Sequence, residues 1–157
     1  MVHVTDLTSM GHPRLIAVGW LARGEAFSRG PVNDAFVDSL ISLLQDPWQP
    51  SVTAGAHRCD FCRISGGPAQ LLQAGRSIHL GALNLYVPHE GKIFVSPSLI
   101  AHYVDAHRYA PPDIYQAAVC DVHQRSPFSI SGPFSVMVHL DSFAVGWVRT
   151  RLPAHSI

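Results

Sequence analysis

Residues 55–62 read GAHRCDFC and residues 96–112 read SPSLIAHYVDAHRYAPP. The first stretch places His57, Cys59 and Cys62 within six positions, and the second carries His102 and His107 on a helical pattern. A two-residue spacer lets both thiolates of a C-x-x-C pair reach one tetrahedral ion while the intervening amides turn toward sulfur, and imidazole is the other usual zinc donor. Five candidate metal ligands therefore stand in two separated halves: His57, Cys59, Cys62, His102 and His107. On an ideal helix, at about 100° per residue, His102 and His107 point roughly 140° apart, so both reach one ion only if the last turn before Pro111 loosens. Two sets stay open, Cys59, Cys62, His102 and His107 or Cys59, Cys62, His57 and His102. The second needs less coordinated placement, because three of its ligands share one short loop.

Toward the C-terminus, Ile78 and Leu80 alternate along an extended run, Gly81-Ala82 shifts the phase, Leu83, Leu85 and Val87 resume it, His89-Glu90-Gly91 turns, and Lys92 to Val95 returns. This predicts a hairpin between the two halves of the site. Ser96-Pro97 reads as a cap with proline in the first helical turn, opening a helix that must stop near Pro111-Pro112, with a second helix over Asp113 to Val122. Upstream, Val32, Phe36, Leu40, Leu43 and Leu44 recur at helical spacing between Gly30-Pro31 and Asp46-Pro47. Leu15 to Leu21 is a short buried strand or turn, and residues 1–14, polar and irregular, are expected to be a flexible N-terminal arm. Residues 47–67 have no period and read as a loop. Downstream, SVMVHL and FAVGWVRT within 126–157 look like two further strands. The expectation is an α+β fold: a single metal-binding domain over 15–157, with a β-hairpin or antiparallel sheet and about three helices around a zinc knuckle. The order knuckle, hairpin, helix suggests a treble-clef-like arrangement, although His102 would lie about one turn deeper in the helix than such folds usually require.

The chain of 157 residues is 47% hydrophobic and 14% charged, with no net formal charge, which favours one globular domain and excludes a disordered polypeptide. Its length is sufficient to bury a core without disulfides. Basic residues are ten Arg and Lys92, without clustering, so no nucleic acid and no anionic membrane surface is expected as a partner. The longest apolar run near the N-terminus, Leu15 to Ala22, is far short of a membrane span and has no cleavage signature. Three cysteines, two in the C-x-x-C pair, fit a reducing cytoplasm.

The combination of Gly19 to Leu21 leading into a helix that ends near Trp48, then GAHRCDFC, then VSPSLIAHYVDAHRYAPPDIYQAAV, resembles a family of uncharacterised small bacterial proteins. That family carries a G-x-H-x-C-x-x-C loop and an H-Y-x3-H-x-Y-x-P-P helix segment, and the resemblance covers residues 15–122. It brings no activity with it. It implies that His57, Cys59, Cys62, His102 and His107 belong to one site.

Competing chemistries have weaker support. Thioredoxin-type pairs follow a strand and open a helix, whereas this C-x-x-C sits in aperiodic loop. The c-type haem signature is absent, since Arg63 follows Cys62. His79 and Asn84 suggest a treble-clef nuclease, but no D-H or H-H pair opens the hairpin. Cys120, next to Ala117, Ala118 and Val119, reads as a small core residue, and Tyr103, Tyr109 and Tyr115 as packing of the helical pair. Asp60, Glu90 and Asp105 are general-base candidates without a recognised catalytic context. Five potential ligands favour a closed structural Zn2+ site, with iron second, in a cytoplasmic protein that works by interaction with another protein. The alternative is a metal-dependent hydrolase or oxidoreductase with an open Cys/His site.

Overall fold

Glu90 and Gly91 both take positive φ, 47° and 75°, and His89 pairs directly with Lys92. Two consecutive left-handed residues make the mirror-image turn whose twist matches flanking strands, so the chain folds back here. In the computed structural model, which describes residues 3–50, 57–62, 70–73 and 76–125, this hairpin is β4 (Asn84–His89) with β5 (Lys92–Pro97). The other elements are β1 (Leu15–Ala17), α1 (Asp34–Gln45), β2 (Gln70–Gln73), β3 (Arg76–His79), α2 (Ile100–His107) and α3 (Asp113–Arg125). The fold is a small α+β domain with three helices, as the periodicities predict.

β5 is central in a three-stranded sheet, antiparallel to β4 and parallel to β1, with Leu15 opposite Ile93. Ile93 to Pro97 are all buried, as expected for a strand covered on both faces. β2 and β3 form a separate antiparallel ribbon. Phe36, Leu40 and Leu44 bury one face of α1, and Asn33 caps it by accepting from the Ala35 N–H at 2.8 Å. Tyr115 of α3 is enclosed between Phe36 of α1 and Phe94 of β5, with edge-on ring contacts at 6.2 and 5.7 Å. Its hydroxyl shares a 2.8 Å hydrogen bond with the Ser96 hydroxyl, so a fully buried polar group is satisfied.

One expectation needs correction. The Ser96-Pro97 pair does not open the helix: the strand continues through Pro97, and α2 begins at Ile100 without a side-chain cap. Ser96 is held in the ladder opposite Leu85 and by Tyr115, while the Ser98 hydroxyl accepts from the N–H groups of Gly81 and, more weakly, Leu83, tying the strand exit to the turn before β4. The described residues of the N-terminal arm are hydrogen-bonded to β1. Leu7 N–H donates to Ala17 C=O, Ala17 N–H to Thr8 C=O and Met10 N–H to Leu15 C=O, at 2.8–2.9 Å, so the arm covers the free edge of β1. The strand-like runs expected within 126–157 lie outside the described residues, as does Gly55 at the start of the knuckle motif.

Candidate metal centre

Cys59 and Cys62 lie on a loop after His57, and His102 and His107 lie in the first and last turns of α2. One ligand atom from each of these four residues falls within 4.8 Å of all the others. The closest approaches are Cys59 Sγ to His107 Nε2 at 3.2 Å, Cys62 Sγ to His102 Nε2 at 3.3 Å, the two Nε2 atoms at 3.2 Å, and Cys62 Sγ to His107 Nε2 at 3.6 Å. Bond lengths for tetrahedral zinc with two sulfur and two nitrogen donors place neighbouring donors about 3.3–3.8 Å apart. The spacing is thus that of a coordination shell. Pairwise hydrogen bonds explain the contacts singly, but His107 Nε2 faces three donor atoms at once, which one shared cation accounts for.

The sequence left unsettled which four of five residues meet. The structure brings together Cys59, Cys62, His102 and His107, and His57 is not in the group. Although an ideal helix would part them by about 140°, the Nε2 atoms of His102 and His107 meet at 3.2 Å. Directly after His107 the helix closes at Arg108, which adopts φ +56°, and the N–H groups of Arg108 and Tyr109 both donate to the Tyr103 carbonyl, an ordinary left-handed helix ending. Because α2 starts at Ile100, His102 lies in the first turn, where a treble-clef helix supplies its ligand.

His57 lies outside this group of four. Its N–H donates to the Gly81 carbonyl at 2.7 Å, latching the knuckle to the turn before β4, and its ring lies edge-on to Trp20. Arg23 fixes the middle of the knuckle by donating from both Nε and Nη2 to the Asp60 carbonyl, at 2.9 and 2.5 Å. Phe61 packs against Phe27, Tyr103 and His107, walling one side of the cluster. Of these supporting residues, Gly81, Arg23, Phe27 and Phe61 carry no sequence signal of their own.

The electrostatics of the cluster are compatible with metal binding. Burial pushes the Cys59 thiol up, and the backbone N–H groups of Phe61 and Cys62 pull it back down, which is the amide-to-sulfur arrangement that a two-residue spacer permits. Burial pushes His102 and His107 below the ordinary histidine range; Asp105 opposes this at His102, while His102 and Arg29 add to it at His107. Imidazoles held neutral are the form that binds metal. Tyr103, fully buried beside the cluster, has its phenol raised by burial and then by Cys59, Asp60 and Cys62, so it is a neutral wall here.

Cys120 is half-buried on α3 against the core, and Tyr103, Tyr109 and Tyr115 are fully buried, as expected from the sequence. Among the described residues no helix is long and apolar enough to cross a membrane. No curated protein and no solved structure matches the chain. A family model does match, over residues 2–120, a span that contains the pinned arm and all four converging ligands. The chain belongs to the family described as Domain of unknown function (DUF7919).

Proposed function

We propose that Cys59, Cys62, His102 and His107 hold a structural Zn2+ that clamps the knuckle onto α2, and that the surface so shaped acts by binding another protein. The observation that carries this reading is the convergence of two cysteine and two histidine donors from opposite halves of the fold. Four protein ligands complete a tetrahedral shell and leave no position for water, which is the structural form of a zinc site; a catalytic zinc keeps one position open. Two thiolates with two imidazoles favour zinc over harder ions. The unpaired state of all three cysteines supports a reducing, cytoplasmic setting.

Zinc-finger peptides gain on the order of 10 kcal/mol from structural zinc, and a chain with its own core would register less. Cys59→Ser is expected to lose its metal and to melt roughly 10 °C or more below the wild type. Elemental analysis and thermal melts check both. Full zinc occupancy in Cys59→Ser would overturn the ligand assignment. X-ray absorption separates the clamp from a metalloenzyme: two sulfur and two nitrogen neighbours are expected, and an exchangeable oxygen ligand would favour catalysis. The partner is expected to co-purify with the wild-type chain and not with Cys59→Ser.

A further inference from the structure

α2 closes immediately after His107 at Arg108, which is not glycine and takes φ +56°. Left-handed backbone at such a residue is disfavoured and persists where the surroundings over-determine it. Several contacts do so. Gly30 N–H donates to the Arg108 carbonyl and Ala110 N–H to the Ser28 carbonyl, at 3.1 and 3.0 Å, so residues 108–110 lie as an antiparallel bridge along 28–30. Between them, the side chain of Tyr109 runs fully buried to the N-terminal arm, where its hydroxyl donates to Asp6 Oδ2 at 2.6 Å. The other carboxylate oxygen, Oδ1, accepts from the Gly19 N–H at 2.8 Å.

Asp6 is itself held by a strained turn. Leu7, next to it, takes φ +65°, and the turn closes by Thr8 N–H donating to the Thr5 carbonyl. Gly19 takes φ +75°, and a Cβ there would lie 3.0 Å from Ile100 Cδ1 at the start of α2. Both ends of the metal helix are thus tied to one carboxylate, the start through Gly19 against Ile100 and the end through Tyr109. A charged acceptor makes the short hydroxyl bond stronger than a neutral one would.

We infer that Asp6 and Tyr109 are the positioning pair of the metal centre, the Asp6 carboxylate holding Tyr109 so that its backbone keeps the end of α2 closed and His107 aimed at His102. The inference deepens the zinc reading above and rests on it. A merely structural role for the pair would lower the melting temperature and leave ligand geometry alone. A positioning role acts through His107, and that can be read directly.

The test is a zinc competition titration against a chromophoric chelator, on the full chain, for the wild type, Tyr109→Phe, Asp6→Asn, His107→Ala and Tyr109→Phe combined with His107→Ala. Groups that orient metal ligands typically contribute about 10- to 100-fold in affinity, so Tyr109→Phe and Asp6→Asn are each expected to weaken zinc binding about tenfold or more. In the His107→Ala background Tyr109→Phe should add less than about threefold, because the group it positions is gone. In the Co2+-loaded Tyr109→Phe chain the thiolate charge-transfer band should persist while the d–d bands shift. Amide hydrogen exchange on the metal-free chain should quicken at Arg108 and Tyr109 in the variant. Wild-type affinity in Tyr109→Phe, an equal loss in both backgrounds, or loss of the thiolate band would overturn the inference and leave the zinc reading standing. A wild-type chain that takes up no zinc overturns both.

Discussion

At Gly81 the backbone takes φ +86°, and a Cβ built there would overlap the carbonyl oxygen of His57. Only glycine lets the knuckle approach this turn closely enough for the His57 N–H to reach the Gly81 carbonyl. Gly81→Ala combines a left-handed alanine with a steric clash against backbone, so it should destabilise the chain by about 2 kcal/mol or more and lower zinc affinity as the knuckle shifts. Urea unfolding and the zinc titration check this; an unchanged midpoint would contradict the latch. Residue by residue, the site was half readable. The C-x-x-C spacing and the two helix histidines carry their chemistry openly. His57 shares the motif, but the donors that converge are those of Cys59, Cys62, His102 and His107, and the His57 N–H bonds to Gly81, a contact that spacing cannot reveal.

The elements with strong local signals are those the periodicity predicts. α1 combines an asparagine cap with apolar residues at Phe36, Leu40 and Leu44, each local to the helix. Asn33→Ala removes the acceptor for the Ala35 N–H and should lower stability by about 1 kcal/mol, with metal content unchanged, as measured by denaturant unfolding and elemental analysis. Loss of zinc in that variant would show that α1 and the centre are coupled more tightly than their separation in sequence suggests. The hairpin was readable from alternation and the Glu90-Gly91 turn. The start of α2 was not, because Ser-Pro satisfies a helix-opening pattern locally while Ser96 is claimed by the sheet and by Tyr115. β1 is only three residues long and finds its parallel partner across the chain, so no window around Leu15 contains the information that pairs it with Ile93.

On the scale of the whole molecule, the half-buried histidines of the cluster set a pH dependence. Their folded-state values lie below the ordinary value of about 6.5, so as pH falls through that region the unfolded chain takes up protons first and stability is lost. The metal-free chain should therefore unfold at lower urea at pH 5.5 than at pH 7.5, and replacing His102 and His107 together by Gln should flatten the difference. A wild-type midpoint independent of pH would refute this. In the zinc-loaded chain the loss should be steeper, since thiolates and imidazoles must be protonated to release the ion. Within the arm, Asp6 makes bonds to Gly19 and Tyr109 that no composition signals. The parallel pairing of β1 with β5 has a consequence for how the chain is made. Hairpins close within microseconds of their residues being available, but β1 has no parallel partner until residues 93–95 have been synthesised, and Asp6 cannot meet Tyr109 until the chain just past α2 has. Although Asp6 and Leu15 to Ala17 are made before the hairpin, their long-range bonds can form only after it, so these contacts are among the last to settle.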